Sequence, residues 1–313
     1  MPSVRFGAQL WSQATDWPSL RDAAILADRS GWDSIWTWDH LNAIFGPWEQ
    51  PVFEGWTVLS ALAPLTQDTR LGLMVGANTF RNPGVTAKLA TTLDHLSDGR
   101  AILGIGAAWF EREHDAFGLE FGSGFGERID RLDEAVGLIR RLLDGETVTH
   151  TGRFYAMRDA VCAPRPIQDH LPILIGASGP RKGVPLVGRA ADGWNTNGTA
   201  GEAAARLAIL EDAARGAGRD PAEIERSISF PIVIRDDPDR AREAFAGLLA
   251  HNRTETAGAG VALLGAPAMI ADAIRPYVGL GFGTVIVRLP APFDLETIER
   301  MGEVSALLGS VGA

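Results

Sequence analysis

Short apolar runs alternate with amphipathic segments along this chain, and that alternation predicts an α/β fold with a parallel sheet. The apolar runs are too short for helices and are bounded by turn residues, which is typical of strands buried on both faces. Between them, apolar residues recur at helical spacing, as in Ser19–Ser30, Glu54–Leu65, Val85–Leu96, Gly126–Leu143 and Pro267–Val278. The predicted strands are Val4–Leu10, Ser34–Trp38, Leu71–Val75, Ala101–Ile105, Ile173–Gly176, Gly193–Thr196, Ser227–Ile234 and Thr284–Arg288.

Eight predicted strands, each followed by a helix, favour a (β/α)8 TIM barrel over an open doubly wound sheet. No internal repeat or low-complexity linker divides the sequence, so we predict one domain over residues 1–313. Two insertions interrupt the regular alternation. Asp39–Gln50 follows the second strand, and Glu146–Pro166 follows the fourth, where an alternating pattern around Thr151 and Gly152 predicts a hairpin.

In a barrel the residues that follow the strands share one face, and that face carries the active site. Here it is rich in aromatic and amide side chains, with one histidine and few acids. A metal hydrolase would need a cluster of His, Asp and Glu, and a serine hydrolase a G-x-S-x-G motif. A flat aromatic cofactor suits this face better. The residues of this face are Gln9, Trp11, Asp39, His40, Gly76, Asn78, Arg81, Gly106, Ala107, Trp109, Ala177, Ser178, Gly179, Trp194, Asn195 and Arg288.

Two of these polar residues have both a functional and a structural interpretation. His40 is either a proton donor beside the cofactor or a satisfied polar residue next to a capping Asp39. Because it is the one histidine at a predicted strand end, we favour the functional interpretation. Asn78 either forms a turn or hydrogen-bonds to the edge of a heterocycle, and the sequence leaves both open.

A phosphate site is predicted after the fifth strand. Ser178, Gly179 and Pro180 open a helix there, with Arg181 and Lys182 beside it. Backbone N–H groups at a helix start and two cations suit a phosphate, although such a pair of cations is also common on solvated surfaces. The glycines after the fourth strand lack the third glycine of a dinucleotide fingerprint, which argues against a Rossmann NAD site.

Composition narrows the class of partner. The chain has 313 residues, 46% of them apolar, and a formal charge of −10 without a basic block, so we expect no nucleic-acid partner. No apolar run is long enough to span a membrane, and the N-terminus has no signal-peptide layout. Cys162 is the one cysteine, which excludes an internal disulfide. We therefore expect a cytoplasmic protein that acts on a small molecule without a metal.

Several stretches resemble the bacterial luciferase-like superfamily, and within it the oxidoreductases that depend on the deazaflavin coenzyme F-420 (F420, 8-hydroxy-5-deazaflavin). The resemblance is strong over about residues 4–196, whereas the C-terminal third matches by pattern alone. The stretches are RFGAQLW, GWDSIWTWDH, LGLMVGANTFRNP, LSDGRAILGIGAAWFEREHDAFGLEF, GERIDRLDEAVGLIRRLL, GRFYAM, PILIGASGP and ADGWN.

The resemblance implies a barrel that holds the cofactor at the carboxyl ends of its strands, and a homodimer. It implies a bulge in the third strand with a cis peptide at Met74-Val75, and it places Asp39 and His40 beside the centre of hydride transfer. The residues that it and the strand-end pattern assign to the cofactor are Met74, Val75, Gly76, Asn78, Gly106, Ala107, Ala108, Ala177, Ser178, Gly179 and Arg181.

The chain departs from the sugar-phosphate dehydrogenases of that branch at one position. They carry a glutamate just after the fourth strand, where this chain has Trp109, and Glu111 and Glu113 follow in a helical or loop segment. We therefore predict an apolar or aromatic substrate instead of a sugar phosphate. The tryptophans expected to wall the pocket are Trp11, Trp38, Trp48, Trp109 and Trp194.

The leading hypothesis is hydride transfer between C5 of the deazaflavin and an unsaturated or carbonyl carbon, with His40 and Trp109 at the reacting centre. Carbon in place of the flavin N5 makes the reduced cofactor poorly reactive to oxygen, so a reductase or dehydrogenase is expected. The alternatives are an FMN-dependent monooxygenase that uses reduced FMN and oxygen, and a non-catalytic cofactor-binding protein.

Overall fold

The computed structural model describes residues 4–309, and eight of its strands close into a parallel barrel. Around the barrel the order is β1, β2, β3, β5, β8, β9, β10 and β12, and β12 pairs with β1 to close it. This confirms the predicted (β/α)8 barrel. The strands are β1 (Arg5–Leu10), β2 (Ser34–Thr37), β3 (Arg70–Leu73), β4 (Gly76–Ala77), β5 (Ala101–Gly106), β6 (Val148–Thr151), β7 (Ala156–Ala160), β8 (Ile173–Gly176), β9 (Gly193–Thr196), β10 (Glu225–Ile234), β11 (Leu263–Gly265) and β12 (Thr284–Leu289).

Helices surround the barrel, and their apolar faces pack against it. Asp16 precedes the first helix and caps it, because its side chain accepts a hydrogen bond from the Ser19 amide. None of the helices within residues 4–309 is both long and apolar enough to cross a bilayer. They are α1 (Trp17–Arg29), α2 (Gly55–Leu62), α3 (Pro83–Leu96), α4 (Glu111–Phe117), α5 (Phe125–Leu143), α6 (Gly183–Ala190), α7 (Ala200–Gly216), α8 (Pro238–His251), α9 (Pro267–Gly279) and α10 (Leu295–Gly309).

Both predicted insertions are present. The segment after β2 runs to α2 without a long helix of its own, and β6 and β7 form the predicted antiparallel hairpin. Glu134 of α5 holds the hairpin, because its carboxylate accepts hydrogen bonds from the Phe154 and Tyr155 amides and from His150. The short strand β11, which extends the sheet beside β10, was not predicted.

The third strand differs from its prediction, which continued it to Val75. It ends at Leu73, the Met74-Val75 peptide bond is cis, and pairing resumes at β4. Gly72 faces Ile102 and Gly76 faces Ile105, so one extra residue lies on this side of the ladder. The bulge and the cis peptide that the family resemblance implied are therefore confirmed, and an uninterrupted strand over Leu71–Val75 was wrong.

The barrel interior is filled below its carboxyl end. Trp36, Met74, Ile102, Leu174 and Ile286 form a buried cluster there. The Trp36 ring lies so close to the neighbouring strands that a Cβ on Gly7 or Gly72 would come within 2.7 Å of it. A large side chain thus closes the lower interior, and open space remains at the upper end.

Candidate active site

A cavity of about 560 Å³ opens at the carboxyl ends of the barrel strands. Its size is that of a small-molecule or cofactor site. The segments at the carboxyl ends of β5 and β8 form one side of it. The carboxyl ends of β12, β1 and β2 form the opposite side. The predicted site residues that line it are Asp39, His40, Met74, Val75, Gly76, Gly106, Ala107, Ala108, Trp109, Ala177, Ser178 and Gly179.

Asn78 and Arg181 are the predicted site residues that do not line this cavity. Asn78 is buried, and its Nδ2 donates to the Tyr155 hydroxyl at 3.0 Å, so it ties the hairpin to the barrel. Arg181 is exposed and has no hydrogen bond or ion pair within residues 4–309. Their positions favour a structural role for Asn78 and indicate that Arg181 belongs to the solvated surface.

The predicted phosphate site also changes in detail. Helix α6 begins at Gly183, after a turn, instead of directly at Ser178-Gly179-Pro180. Lys182 lies outside the cavity, where its Nζ pairs with Asp130 Oδ1 at 2.6 Å. The Ala177–Gly179 turn therefore reaches the cavity as backbone and small side chains, without the two neighbouring cations.

One side of the cavity consists of glycine, alanine and serine, and we call it the small-residue wall. Val75 explains its glycines, because the bulge pushes this side chain between β5 and β8. A Cβ on Gly106 would lie 2.7 Å from Val75 Cγ2, and one on Gly176 would lie 3.0 Å from Val75 Cγ1. Glycine is thus required for the backbone to accept the bulge. The wall comprises Gly106, Ala107, Ala108, Gly176, Ala177, Ser178 and Gly179.

Hydrogen bonds from two neighbouring strands hold the bulge in place. Gln9 Nε2 donates to the Met74 carbonyl at 2.9 Å, and the Met74 amide donates to the Thr37 carbonyl at 2.7 Å. The Ala77 amide donates to Asp39 Oδ2 at 2.9 Å. The bulge is therefore a fixed part of the cavity floor.

Asp39 lines the cavity and belongs to an ion network with Arg81 and Glu54. Arg81 donates to both of its carboxylate oxygens, at 2.5 and 2.9 Å, and also to Glu54 at 2.8 Å. Burial raises the pKa of Asp39, and the hydrogen bonds from Arg81 oppose that rise. Burial also lowers the pKa of Arg81, but its hydrogen bond and attraction to Asp39 outweigh this, so the Arg81 pKa is raised. Because Asp39 accepts hydrogen bonds from Arg81 and from the Ala77 amide, we infer that it positions the bulge.

His40 lies on the cavity wall and is held by a carboxylate that the sequence did not identify. Its Nδ1 is 2.9 Å from Glu113 Oε1, and the other oxygen of Glu113 accepts from the Leu41 amide at 2.9 Å. Glu113 is 1% exposed. A carboxylate accepts hydrogen bonds only, so it assigns the Nδ1 proton and leaves Nε2 as the ring nitrogen without a partner in the described chain.

Aromatic rings surround His40. Trp38 and Trp109 both meet the imidazole edge to face, with centroids 5.9 and 5.8 Å away. Trp11 stacks on Phe45 at 4.5 Å beside Trp38. Trp109 remains 58% exposed, so its ring borders the cavity mouth instead of being packed into the core. We call Trp11, Trp38, His40, Phe45 and Arg288 the aromatic–ionic wall.

Two predicted wall tryptophans lie elsewhere. Trp48 packs against the Arg112 guanidinium, 4.0 Å from its ring centroid, and does not line the cavity. Trp194 is fully buried, and its Nε1 donates to the Ala177 carbonyl at 2.9 Å. Trp194 thus supports the small-residue wall from behind, and the expectation that both line the pocket was wrong.

Two parts of the cavity were missed in the sequence. Glu113 lies inside the first turns of α4, directly after the fourth barrel strand, and that proximity to a strand end was the available signal. The Ala257–Ala259 segment also lines the cavity, although it lies far from the motifs. Arg288 Nη1 donates to the Ala257 and Ala259 carbonyls, at 3.2 and 2.7 Å, and thereby holds the segment.

Comparisons with known proteins agree with this architecture. A model of the luciferase-like monooxygenase family matches residues 3–284. An F420-dependent glucose-6-phosphate dehydrogenase of Microbacterium testaceum is 35% identical, over 77% of this chain and 71% of that protein. A phthiodiolone/phenolphthiodiolone dimycocerosates ketoreductase of Mycobacterium bovis is 30% identical, over 95% of this chain and 81% of that protein.

Among solved structures, the coenzyme F420-dependent tetrahydromethanopterin reductase of Methanopyrus kandleri has the same fold, with a TM-score of 0.80 at 22% identity. The match covers 98% of this chain and 99% of that one. The barrel, the bulged third strand and the family match agree, and the chain belongs to the luciferase-like monooxygenase family.

Proposed function

We propose that this protein is an F420-dependent oxidoreductase that transfers a hydride between C5 of the cofactor and an apolar or aromatic organic substrate. The observation that carries the proposal is the division of one cavity into two walls. The small-residue wall offers backbone and no bulky side chain, whereas the opposite wall presents His40 supported by Glu113. Relatives that are F420-dependent dehydrogenases and ketoreductases support the cofactor assignment.

The residues of the small-residue wall and the bulge fit a flat ring system. Val75 and the Gly106–Ala108 segment are the residues that we expect to face the ring, with the Ala177–Gly179 turn near its side chain. Because these side chains are small, they leave a cavity of about 560 Å³ open beside them. When bound there, coenzyme F420 supplies hydride chemistry at C5.

The protein's own contribution is to hold the substrate and to move a proton. A carbonyl carbon that accepts a hydride leaves an oxygen that needs a proton, and protonated His40 donates it from Nε2. In the opposite direction, neutral His40 accepts the hydroxyl proton at the same atom. Glu113 keeps the imidazole oriented, because its carboxylate binds Nδ1 and leaves Nε2 for the substrate.

The walls also support the substrate class. The rings of Trp38 and Phe45, which pack on the fully buried Trp11, border the cavity, and Trp109 adds an exposed ring at its mouth. Such surfaces bind apolar or aromatic groups through area burial and ring stacking. Trp109 takes the position at which the sugar-phosphate dehydrogenases carry an acid, so we do not propose their substrate for this chain.

The test is a titration of the purified protein with F420 and with FMN in parallel, followed by cofactor fluorescence. We expect F420 to bind at least about tenfold more tightly than FMN, a difference of about 1.4 kcal/mol. The bound, reduced F420 should then be oxidised by a carbonyl acceptor without oxygen uptake. Tight FMN binding with no F420 binding, or an oxygenated product formed from substrate, reduced FMN and oxygen, would contradict the proposal and support the monooxygenase alternative.

A further inference from the structure

Arg288 occupies a distinct place in the cavity. It lies near the end of β12, where it pairs in register with Gln9 of β1 and Pro231 of β10. In the barrel order, β12 is two strands from β2, which leads to His40, and three strands from β8, which leads to the Ala177–Gly179 turn. Arg288 therefore belongs to the His40 side of the cavity and not to the small-residue wall.

The charge of Arg288 is not neutralised by the protein. Within residues 4–309 it has no carboxylate partner, and its hydrogen bonds go to the backbone carbonyls of Ser229, Ala257 and Ala259. The two carboxylates on the cavity wall are engaged elsewhere, Asp39 with Arg81 and Glu113 with His40. An arginine that is largely buried without a counter-ion is costly, which suits a site that receives an anion.

Some N–H groups of the Arg288 guanidinium have no hydrogen-bond acceptor within residues 4–309. It carries five N–H groups, and three hydrogen bonds are formed, which leaves Nε–H and one Nη2–H. Two adjacent donors on one guanidinium match the two oxygens of a carboxylate. Burial lowers the pKa of Arg288 to about 10, so the side chain is still a cation at neutral pH.

We propose that Arg288 binds a carboxylate of the substrate, so that the substrate is an apolar or aromatic acid. This rests on the proposed function and narrows its substrate class. Arg288 anchors the acid, the rings of Trp38 and Phe45 contact the apolar body, and His40 faces the reacting carbon. The same residue also holds the Ala257–Ala259 segment through its Nη1.

The experiment compares straight-chain carboxylates, from butanoate to dodecanoate, with their primary amides by calorimetry on F420-saturated protein. An acid and its amide have almost the same shape, so the difference isolates the charge. We expect the best-bound acid to bind at least about tenfold more tightly than its amide. The variant Arg288→Met should remove this preference and leave the amide affinity within about threefold, and Arg288→Lys should retain part of it.

A matched control separates charge recognition from loss of a backbone anchor. Arg219 also donates to two carbonyls, those of Gly188 and Ala191, but does not line the cavity. The variant Arg219→Met should keep the full acid preference. Equal affinity for every acid and its amide in the native protein, or a preference that survives in Arg288→Met, would overturn the proposal.

F420 affinity distinguishes a substrate carboxylate from an anionic group of the cofactor as the ligand of Arg288. If Arg288→Met weakens F420 binding more than about tenfold, Arg288 binds an anionic group of the cofactor and the substrate assignment is overturned. If the native protein does not bind F420 at all, the proposed function fails. The comparison of acids and amides on the cofactor-free protein then still decides whether Arg288 is a carboxylate site.

Discussion

The two walls of the cavity are formed by the same barrel, yet they differ completely in chemistry. The small-residue wall contains no ionisable side chain, and its shape is set by backbone and by the inserted Val75. The aromatic–ionic wall has His40, Arg288 and three aromatic rings. The difference indicates that backbone on the small-residue wall binds the flat cofactor ring. The groups that recognise and protonate a substrate lie on the aromatic–ionic wall.

Each wall is supported by residues that are not part of it. Trp194 holds the Ala177 carbonyl behind the small-residue wall, and Gln9 holds the bulge. Beside the other wall, Glu113 reaches His40 from α4 and also binds the Leu41 amide. Supporting contacts of this kind keep functional groups in place. A substitution that weakens the support of one wall should therefore affect either cofactor binding or proton transfer, and leave the other unchanged.

The largest effect is expected from His40→Ala. Loss of the group that donates or accepts the proton should lower kcat about 10² to 10⁴-fold, while F420 affinity stays within about threefold. Steady-state rates and a fluorescence titration of the same preparation measure the two quantities. The exposed His170 provides the control, because His170→Ala should change neither. Unchanged turnover in His40→Ala would contradict the proton-transfer role of His40.

A smaller effect is expected from Glu113→Gln. The amide keeps the shape but has one acceptor for two N–H partners, so either His40 or the Leu41 amide loses its hydrogen bond. We expect kcat to fall about 10 to 100-fold with KM and F420 affinity nearly unchanged. Glu111→Gln, on the exposed first turn of the same helix, is the matched control. A rise in KM with constant kcat would show that Glu113 shapes the binding site instead of orienting His40.

The smallest effect is expected on the other wall, from Gly106→Ala. The added methyl group would lie 2.7 Å from Val75 Cγ2, so the bulge must shift. We expect F420 affinity to fall about tenfold and the free energy of unfolding to decrease by about 1 to 3 kcal/mol. Gly137→Ala in α5, where a Cβ meets no atom within 4 Å, should be neutral or stabilising by up to about 1 kcal/mol. Loss of turnover at unchanged F420 affinity in Gly106→Ala would contradict the separation of the two walls.

Much of the architecture was predictable because it depends on local patterns. All eight barrel strands and the hairpin were identified from apolar runs and alternation, since buried parallel strands have continuous apolar sequences. The bulge at Met74-Val75 was expected through family resemblance alone. Periodicity by itself continued the strand to Val75, because an apolar run does not reveal where pairing shifts by one residue.

The candidate site was predictable where residues follow strands directly, and less so elsewhere. His40, Gly106 and Ser178 reach the cavity because strand order alone brings them to one end of the barrel. Asn78 and Trp194 lie at or near strand ends too, and Trp48 lies in the segment after β2, yet their side chains make other contacts, and Arg181 is exposed to solvent. Side-chain direction after a strand depends on neighbours that are distant in sequence.

The sequence by itself determined the barrel, the family and the end at which the cavity opens, since these follow from hydrophobic periodicity and short motifs. Only the tertiary structure decided which charges are paired. Glu113 is separated from His40 by more than seventy positions, and the Arg288 guanidinium donates to the backbone carbonyls of Ser229, Ala257 and Ala259, with no carboxylate partner in residues 4–309. Pairing is a property of distance in space, which no local pattern encodes, and it is this pairing that divides the cavity into its two walls.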